Sequence, residues 1–393
     1  MKFLEYIDSS WIANKTHELV AIKSETLSEG EICEFYASEL ESLGLIVEKR
    51  PISKDRFNIY AKLPGTTSQQ SLIFNGHLDT IPIGESWPPR MSADKIFGRG
   101  AEDMKGGMAA LLAMLYAFKM SKTKLRGDLW ITAVVGHEDA EAEKDGPLAM
   151  CEDINLGNIS GDAILIVEGD SELWTMSTGS SVFQIILHSK LGGTHTNNIS
   201  MRQNPVYYIG KIIEAIVQLQ ERMDSGEKHP LVGSPRVDIG KIVSGDYYNR
   251  TPSVSTIEGI IRWLPGSTLK DTQALLHRII DPIAHEGDLD LEIEFTLSRE
   301  PFEVPADNHA LKIVSSAIER TTGIKPQIIG KRIVGDANIF MPKTGIPTLY
   351  YGPGYKTAHS NDEWVSISSL YGLAKALGSI AIDFLDEEKQ FSE

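Results

Sequence analysis

His77, Asp103, Asp139, Glu168 and His359 together offer imidazole nitrogen and hard carboxylate oxygen, the donor mixture that a pair of zinc ions takes in a hydrolytic site. Glu138, next to Asp139, is left free to act as a base. Two ions about 3.5 to 4 Å apart hold a bridging hydroxide and polarise a carbonyl. Asp103 is placed to be shared between them. It falls in the stretch GRGAEDMKGG, Gly98 to Gly107, at the mouth of the apolar helical run Met108 to Phe118. Backbone N–H groups at a helix start can fix a carboxylate there and leave both its oxygens facing outward. Any one of these residues alone reads as a turn cap or a polar strand end, but five of them at strand ends and loop mouths do not.

The elements that must carry them are short apolar runs, each ending in polar residues. Ser71 to Phe74 leads into NGHLDT, which holds His77 and Asp79 with the same side-chain parity. Leu129 to Val135 is broken by Gly136 just before His137, Glu138 and Asp139, and Ala163 to Val167 ends in Glu168. Continuous apolar strands with functional residues at one edge, alternating with helical patterns, are the signature of an α/β sheet. Upstream, Ser28 to Glu31 reads as a capping box opening a helix that Gly44 ends, and strands follow at Leu45 to Glu48 and Asn58 to Leu63.

After Thr178 the pattern changes. Val182 to His188 alternates, and Asn204-Pro205 opens a helix with Val206, Ile209, Ile212, Ile213 and Ile216 on one face. Strand patterns at Arg236 to Val243 and Ser255 to Trp263, a helix at Ser267 to His285 and an alternating run at Leu289 to Leu297 complete a β-α-β-β-α-β order, that of a ferredoxin-like unit. The expected division is a discontinuous catalytic domain, 1–178 and 299–393, interrupted by an inserted domain at 179–298. From Asp307 the α/β pattern returns: a helix to about Thr321, a strand near Gln327 to Ile329, the run Pro347 to Tyr351 leading into GPGYKTAHSNDE, and a closing helix over Val365 to Leu385.

Composition narrows the partners. The 393 residues carry a formal charge of -16, from 54 acidic against 38 basic side chains. That disfavours nucleic acid and anionic membrane, both of which reward clustered Lys and Arg. The N-terminal stretch lacks an apolar signal-peptide core and no uncharged apolar run would span a bilayer, so a cytoplasmic protein is expected. Cys33 and Cys151 are too few for a disulfide framework or a thiolate zinc site.

In sequence order, GHLDT around His77, GRGAEDMKGG around Asp103, the acidic pair Glu138-Asp139, Glu168, GGTHT around His195 and GPGYKTAHSNDE around His359 resemble the motifs of one family. It is the co-catalytic zinc metallopeptidase and deacylase family that includes acetylornithine deacetylase, succinyl-diaminopimelate desuccinylase, aminoacylase-1 and carboxypeptidase G. The resemblance runs over nearly the whole chain. It implies a zinc-hydrolase catalytic domain, with a mixed sheet flanked by helices, plus an inserted α+β lid and dimerisation domain. Two zinc ions per chain are implied, with cobalt or manganese as alternatives: His77 and Glu168 on one, Asp139 and His359 on the other, Asp103 bridging. Asp79 would orient the His77 ring by accepting its other N–H. Glu138 would take a proton from the bridging water and return it to the leaving amine. His195 resembles a histidine that holds the oxyanion, across a homodimer formed by the inserted domain. Asn249, Arg262 and Arg299 resemble substrate-binding residues, the arginines suiting a carboxylate. Gly354 lies in a loop that resembles one giving backbone contacts to substrate.

The chain also departs from the family. His137-Glu138-Asp139 stands where Asp-Glu-Glu is usual, with Glu141 and Glu143 close by; Gly169-Asp170 follows Glu168 in place of Pro-Thr; and Ser244-Gly245 replaces the usual Gly-Gly before the lid asparagine. HEDAE lacks the second histidine of a zincin helix, and serine-hydrolase, P-loop and dinucleotide motifs are absent. The expected activity is metal-dependent hydrolysis of an amide in an N-acyl amino acid or a small peptide. Glu at position 168 favours deacylase or carboxypeptidase within the resembled family. The alternative is a non-catalytic, metal-binding sensor or partner-binding relative.

Overall fold

A computed structural model describes residues 1–67 and 70–386. The chain divides into two compact units, one of residues 1–175, 304–329 and 335–393, the other of residues 176–303 and 330–334.

The first unit is built on a mixed sheet. Its strands run in the spatial order Ile46–Ser53, Arg56–Leu63, Asp128–Val134, Ser71–His77, Ala163–Ile166, Thr348–Tyr350, Leu173–Ser177. The central four are mutually parallel, as their pairings show. Every residue of Ser71–His77, Asp128–Val134 and Ala163–Ile166 is buried, which is why these runs are apolar without alternation. Parallel strands point their carboxyl ends the same way, so residues just past each end share one edge of the sheet.

The helix Gly106–Ser121 lies under that edge and is buried nearly all round. It packs against the helices Ser9–Ala21 and Ile367–Asp386. Its start presses on the sheet so closely that a Cβ at Gly107 would sit 2.0 Å from the Val167 carbonyl oxygen, which only glycine allows. No described helix is long and apolar enough to cross a membrane.

One expected local feature is not made. The helix near residue 30 spans Gly30–Ser42, with Glu29 at its N-cap and no capping hydrogen bond from a side chain. Glu29 is committed elsewhere. Fully buried, it takes a bidentate pair from Arg56, at 2.8 Å from Nε and 3.1 Å from Nη2, and its Oε1 also accepts the Gly136 N–H at 3.1 Å. Arg56 holds Asp145 on its other side, Nη1 donating at 2.6 Å. Asn58 adds to the same tie, accepting from Val135 N and donating to Gly146 O. The loop from Gly136 to Gly146 is thereby anchored at both ends, and Gly136, at φ 72°, makes the turn that begins it.

The second unit is a four-stranded antiparallel sheet in the order Arg236–Ser244, Val254–Trp263, Gly179–Ser189, Leu289–Arg299. With the helices Val206–Ser225 and Leu269–Glu286 it follows the β-α-β-β-α-β order. Phe183, Ile185 and Leu187 from the central strand meet Ile212 and Ile216 of one helix and Leu276 and Ile280 of the other in a single apolar core.

The Glu29–Arg56–Asp145 tie generates a stability prediction. Arg56→Met leaves Glu29 buried without its partner, and removing one member of a buried pair costs about 3 kcal/mol or more. Urea unfolding of the two proteins should show that loss; a difference under about 1 kcal/mol would mean that the tie is incidental.

Candidate metal centre

The carboxyl edge of the parallel strands gathers the titratable groups. His77 ends one strand, His137 and Glu138 follow the next, Glu168 follows the third, and Asp103 enters from the loop before the helix Gly106–Ser121. His359 arrives on the loop after Thr348–Tyr350, with its backbone in the left-handed region at φ 66°. Asp103 is the hub. Its Oδ1 lies 3.0 Å from His77 Nε2 and its Oδ2 lies 3.3 Å from His359 Nε2. The same His359 nitrogen is 3.2 Å from Glu138 Oε2. Ligand atoms 2.0 to 2.1 Å from a tetrahedral zinc stand roughly 3.3 Å apart, so these separations match the edges of a zinc coordination sphere. Atoms of His77, Asp103 and Glu138 lie within 4.8 Å of one another, as do atoms of His77, His137 and Glu168. The donors are nitrogen and oxygen only, and the residues fit a divalent cation.

Electrostatics in the site calls for positive charge. Burial, with the Asp103 charge behind it, holds Glu168 well above the usual carboxylate range. Burial opposes charge on the His77 ring, but the hydrogen bond and charge of Asp103, with Glu138 and Asp79 nearby, outweigh it and raise its pKa well above the ordinary value. His359 is raised to about 10 by its hydrogen bonds to Asp103 and Glu138. Burial also works against ionised Asp103, yet His359 and His77 together pull it below its normal value. The acids of the cluster thus favour positive charge at the place where a bound cation would supply it.

The hub is held from behind. Glu363, fully buried, accepts the N–H groups of both Glu102 and Asp103 on Oε1, at 3.0 and 3.1 Å, and Arg99 Nη1 donates to its Oε2 at 2.6 Å. Glu102 in turn accepts from Thr357 N and Oγ1, tying the loop of Asp103 to the loop of His359. Lys105, buried and pushed down to about 7 by that burial, donates to Ile22 O at 2.7 Å.

Several residues take places that differ from expectation. His77 Nδ1 is 2.9 Å from the backbone carbonyl of Asp79, nearer than the 3.7 Å to the Asp79 carboxylate. That carboxylate instead accepts the N–H groups of His137 and Glu138, at 3.0 and 2.8 Å, and the Thr26 hydroxyl at 2.7 Å. Asp79 therefore positions the acidic loop more directly than it positions the histidine. Of the adjacent acids, the structure brings Glu138 into the cluster, while Asp139 faces its own turn and accepts the Glu141 N–H at 2.9 Å. Gly354 donates its N–H to Gly169 O at 2.9 Å, and a Cβ there would meet Glu102 at 2.6 Å.

In the second unit, His195 Nε2 lies 3.2 Å from Asn249 Nδ2, so two of the expected substrate groups are neighbours. Arg262 donates to the Arg332 carbonyl, and Arg299 donates to Ser298 O at 2.8 Å. Sequence reasoning gave no role to Glu363 or Asp336. The first lay inside the quoted GPGYKTAHSNDE motif, and an unassigned acid in such a run was a usable signal. Asp336, whose partner is 199 residues away, had none.

The profile of peptidase family M20/M25/M40 matches residues 73–383. The chain is 27% identical over 373 residues to a succinyl-diaminopimelate desuccinylase of Wolbachia pipientis subsp. Culex pipiens, covering 91% of this chain and 89% of that one. It is 27% identical over 368 residues to an acetylornithine deacetylase of Proteus mirabilis, covering 90% and 89%. Among solved structures, aminopeptidase PepT from Bacillus cereus superposes with a TM-score of 0.82 at 19% identity, over 97% of this chain and 100% of that one. Human carnosine dipeptidase 1 superposes at 0.73 and 17%, over 98% and 99%. The two structures speak for the fold.

The two neighbouring acids are separable. Glu138→Gln should weaken divalent-ion affinity by at least about tenfold, the scale for a group in contact with a metal ligand, while Asp139→Asn should leave it nearly unchanged. Competition against a chromogenic chelator measures both; the reverse order would assign the ligand place to Asp139.

Proposed function

The chain belongs to peptidase family M20/M25/M40, and we propose on that footing that it is a metal-dependent hydrolase acting on the amide bond of an N-acyl amino acid or a short peptide. The observation that carries the reading is the convergence of His77 and His359 on the two oxygens of Asp103, with Glu138 against His359 and Glu168 beside His77. The curated relatives named above, a desuccinylase and a deacetylase, both remove an acyl group by name, which favours deacylation. They also weigh against a binding-only role.

His77 and Glu168 would hold one divalent cation and Glu138 and His359 the other, with Asp103 shared. Zinc suits the donor set, with cobalt or manganese as alternatives. Such ions, when bound, activate water and polarise the scissile carbonyl. The protein's own part is to keep the donors fixed. Glu363 and Arg99 hold Asp103 by its backbone, and Asp79 holds the backbone of His137 and Glu138. In the second unit, His195 and Asn249 offer paired polar groups for the substrate carbonyl and its neighbours, and Arg262 and Arg299 offer guanidinium forks for a carboxylate. Gly354, packed on Glu102 and bonded through its N–H to Gly169 O, belongs to the loop that would meet the substrate with its backbone. A homodimer through the second unit is part of the reading, supported by the edge strand Arg236–Ser244, which exposes Ile242 and Val243.

A panel of N-acetyl, N-succinyl and N-formyl amino acids beside dipeptides, with released amine read by ninhydrin, tests the activity. At least one class should be cleaved, the cleavage abolished by a chelator and restored by zinc. Absence of amine release from every compound would overturn the reading. On the cleaved class, Arg262→Lys keeps the charge and loses the planar fork, so turnover of substrates with a free carboxylate should fall roughly 10-fold while their amides change little. Equal loss on both would take Arg262 out of carboxylate recognition.

A further inference from the structure

The first unit holds a cavity that none of the donors of the Asp103 cluster lines. Its volume is about 310 Å³, at the lower end of the range for small-ligand pockets. The loop that leads to His359 is the wall between the two spaces. The Tyr355 hydroxyl sits in the field of Glu168, Asp103 and Glu138, whereas the next residue, Lys356, lines the cavity together with Gly352, Pro353 and Gly354.

Glu102 forms another part of the wall, and its carboxylate is only half satisfied. The residue is 3% exposed. Both hydrogen bonds to the carboxylate fall on Oε2, from the N–H of Thr357 and, at 2.8 Å, from its hydroxyl; among the described residues nothing bonds Oε1 and no cation pairs with either oxygen. A carboxylate removed from water is costly unless charge or hydrogen bonds replace the solvent, so Oε1 calls for a donor from the cavity. Lys356 is exposed and likewise makes no ion pair among the described residues, which leaves its ammonium for an occupant. The floor is open as well. Gly372, inside the helix Ile367–Asp386, lines the cavity, and a Cβ there would meet nothing within 4 Å. Glycine inside a helix is destabilising relative to alanine, and no crowding demands it here; its effect is to leave room.

We propose that this cavity is a second site for a free α-amino acid, with the ammonium on Glu102 Oε1 and the carboxylate on Lys356, and that an occupant acts on the donor loop through Glu102. A cavity that presents one uncommitted carboxylate oxygen and one uncommitted ammonium is complementary to a zwitterion. The choice of an amino acid rests on the amide-hydrolase reading, in which one is released. Glu102 also holds Thr357, two residues before His359, so one side chain joins the occupant to the loop that carries a donor.

The test uses zinc-loaded full-length protein and isothermal calorimetry against a panel of the common L-amino acids and the amine released from the class that wild type cleaves. At least one should bind wild type, Glu102→Gln should weaken it by roughly 10-fold or more, Lys356→Met by roughly threefold, and Gly372→Phe, which fills the floor, should abolish it. The N-acetyl and the amide derivatives of the same amino acid, each lacking one of the two charges, should not bind in a Gly372-sensitive way. At saturating substrate, where competition at the metal centre is removed, the amino acid should change wild-type turnover by about twofold or more and leave that of Gly372→Phe unchanged. Glu102→Gln, which keeps the shape and can still accept from Thr357, carries the test should Gly372→Phe not fold by circular dichroism. Absence of binding by every amino acid overturns the inference, as does an affinity untouched by Glu102→Gln and Gly372→Phe, which would place the ligand at the metal centre. Gly372-sensitive binding of putrescine or of the N-acetyl form in place of the zwitterion overturns the ligand class, and binding without a change in turnover overturns the link to the donor loop. A wild type that cleaves no amide yet binds an amino acid in a Gly372-sensitive way overturns the parent reading alone; an active wild type that binds none overturns this one alone.

Discussion

Burying Asp79, Asp103, Glu138 and Glu168 together at one edge of a sheet is the constraint that shapes this protein. A carboxylate removed from water costs several kcal/mol unless charge or hydrogen bonds replace the solvent. The fold answers the cost differently for each. Asp79 is satisfied by two backbone N–H groups and a hydroxyl. Asp103 is faced by two imidazoles and Glu138 by one of them. Burial and the Asp103 charge keep Glu168 poorly disposed to ionise. What remains after these compensations is a site of excess negative charge lined by nitrogen and oxygen, which cations of about zinc's size and charge would complete.

The surrounding structure serves to keep those acids from relaxing apart. Parallel strands deliver three of them to one edge, and the close approach of Gly107 to Val167 sets the helix start, and with it Asp103, against that edge. Glu363 grips the Asp103 backbone, while Glu102 binds the His359 loop to it. Glu29, Arg56 and Asp145 do the same for the loop of His137 and Glu138, from the far side. The loops that carry Asp103, His359 and Glu138 are therefore each held by at least one buried polar tie, the preorganisation that electrostatic catalysis requires.

Much of this was legible in the sequence because the decisive strands are buried on both faces. Ser71–His77, Asp128–Val134 and Ala163–Ile166 have no reason to be polar until their ends, so the first polar residue past each run stands out. The order of elements in the second unit was legible for a related reason: one face is covered by helices and the other is not, giving the period-two alternation of residues 289–295. Elsewhere, local patterns were silent. Beyond Gly136 the loop has no periodicity, so nothing in HEDAE tells which acid turns inward; hydrogen bonds from Asp79, 58 and 59 residues away, settle the backbone there. The capping box at Ser28 looked right locally and lost to a long-range pairing of Glu29 with Arg56. Asp336 and Glu363 act through partners about 200 and 260 residues distant. Such contacts are made by the fold and leave no mark on spacing.

The central claim is that the Asp103 cluster binds a pair of divalent ions and that both belong to the active state. Elemental analysis of zinc-loaded, dialysed protein, run alongside turnover on the same sample, tests it most directly. The account predicts two ions per chain, with activity lost and regained together with them. Fully active protein holding a single ion would contradict the paired site, and protein holding none after loading would contradict the ligand set itself.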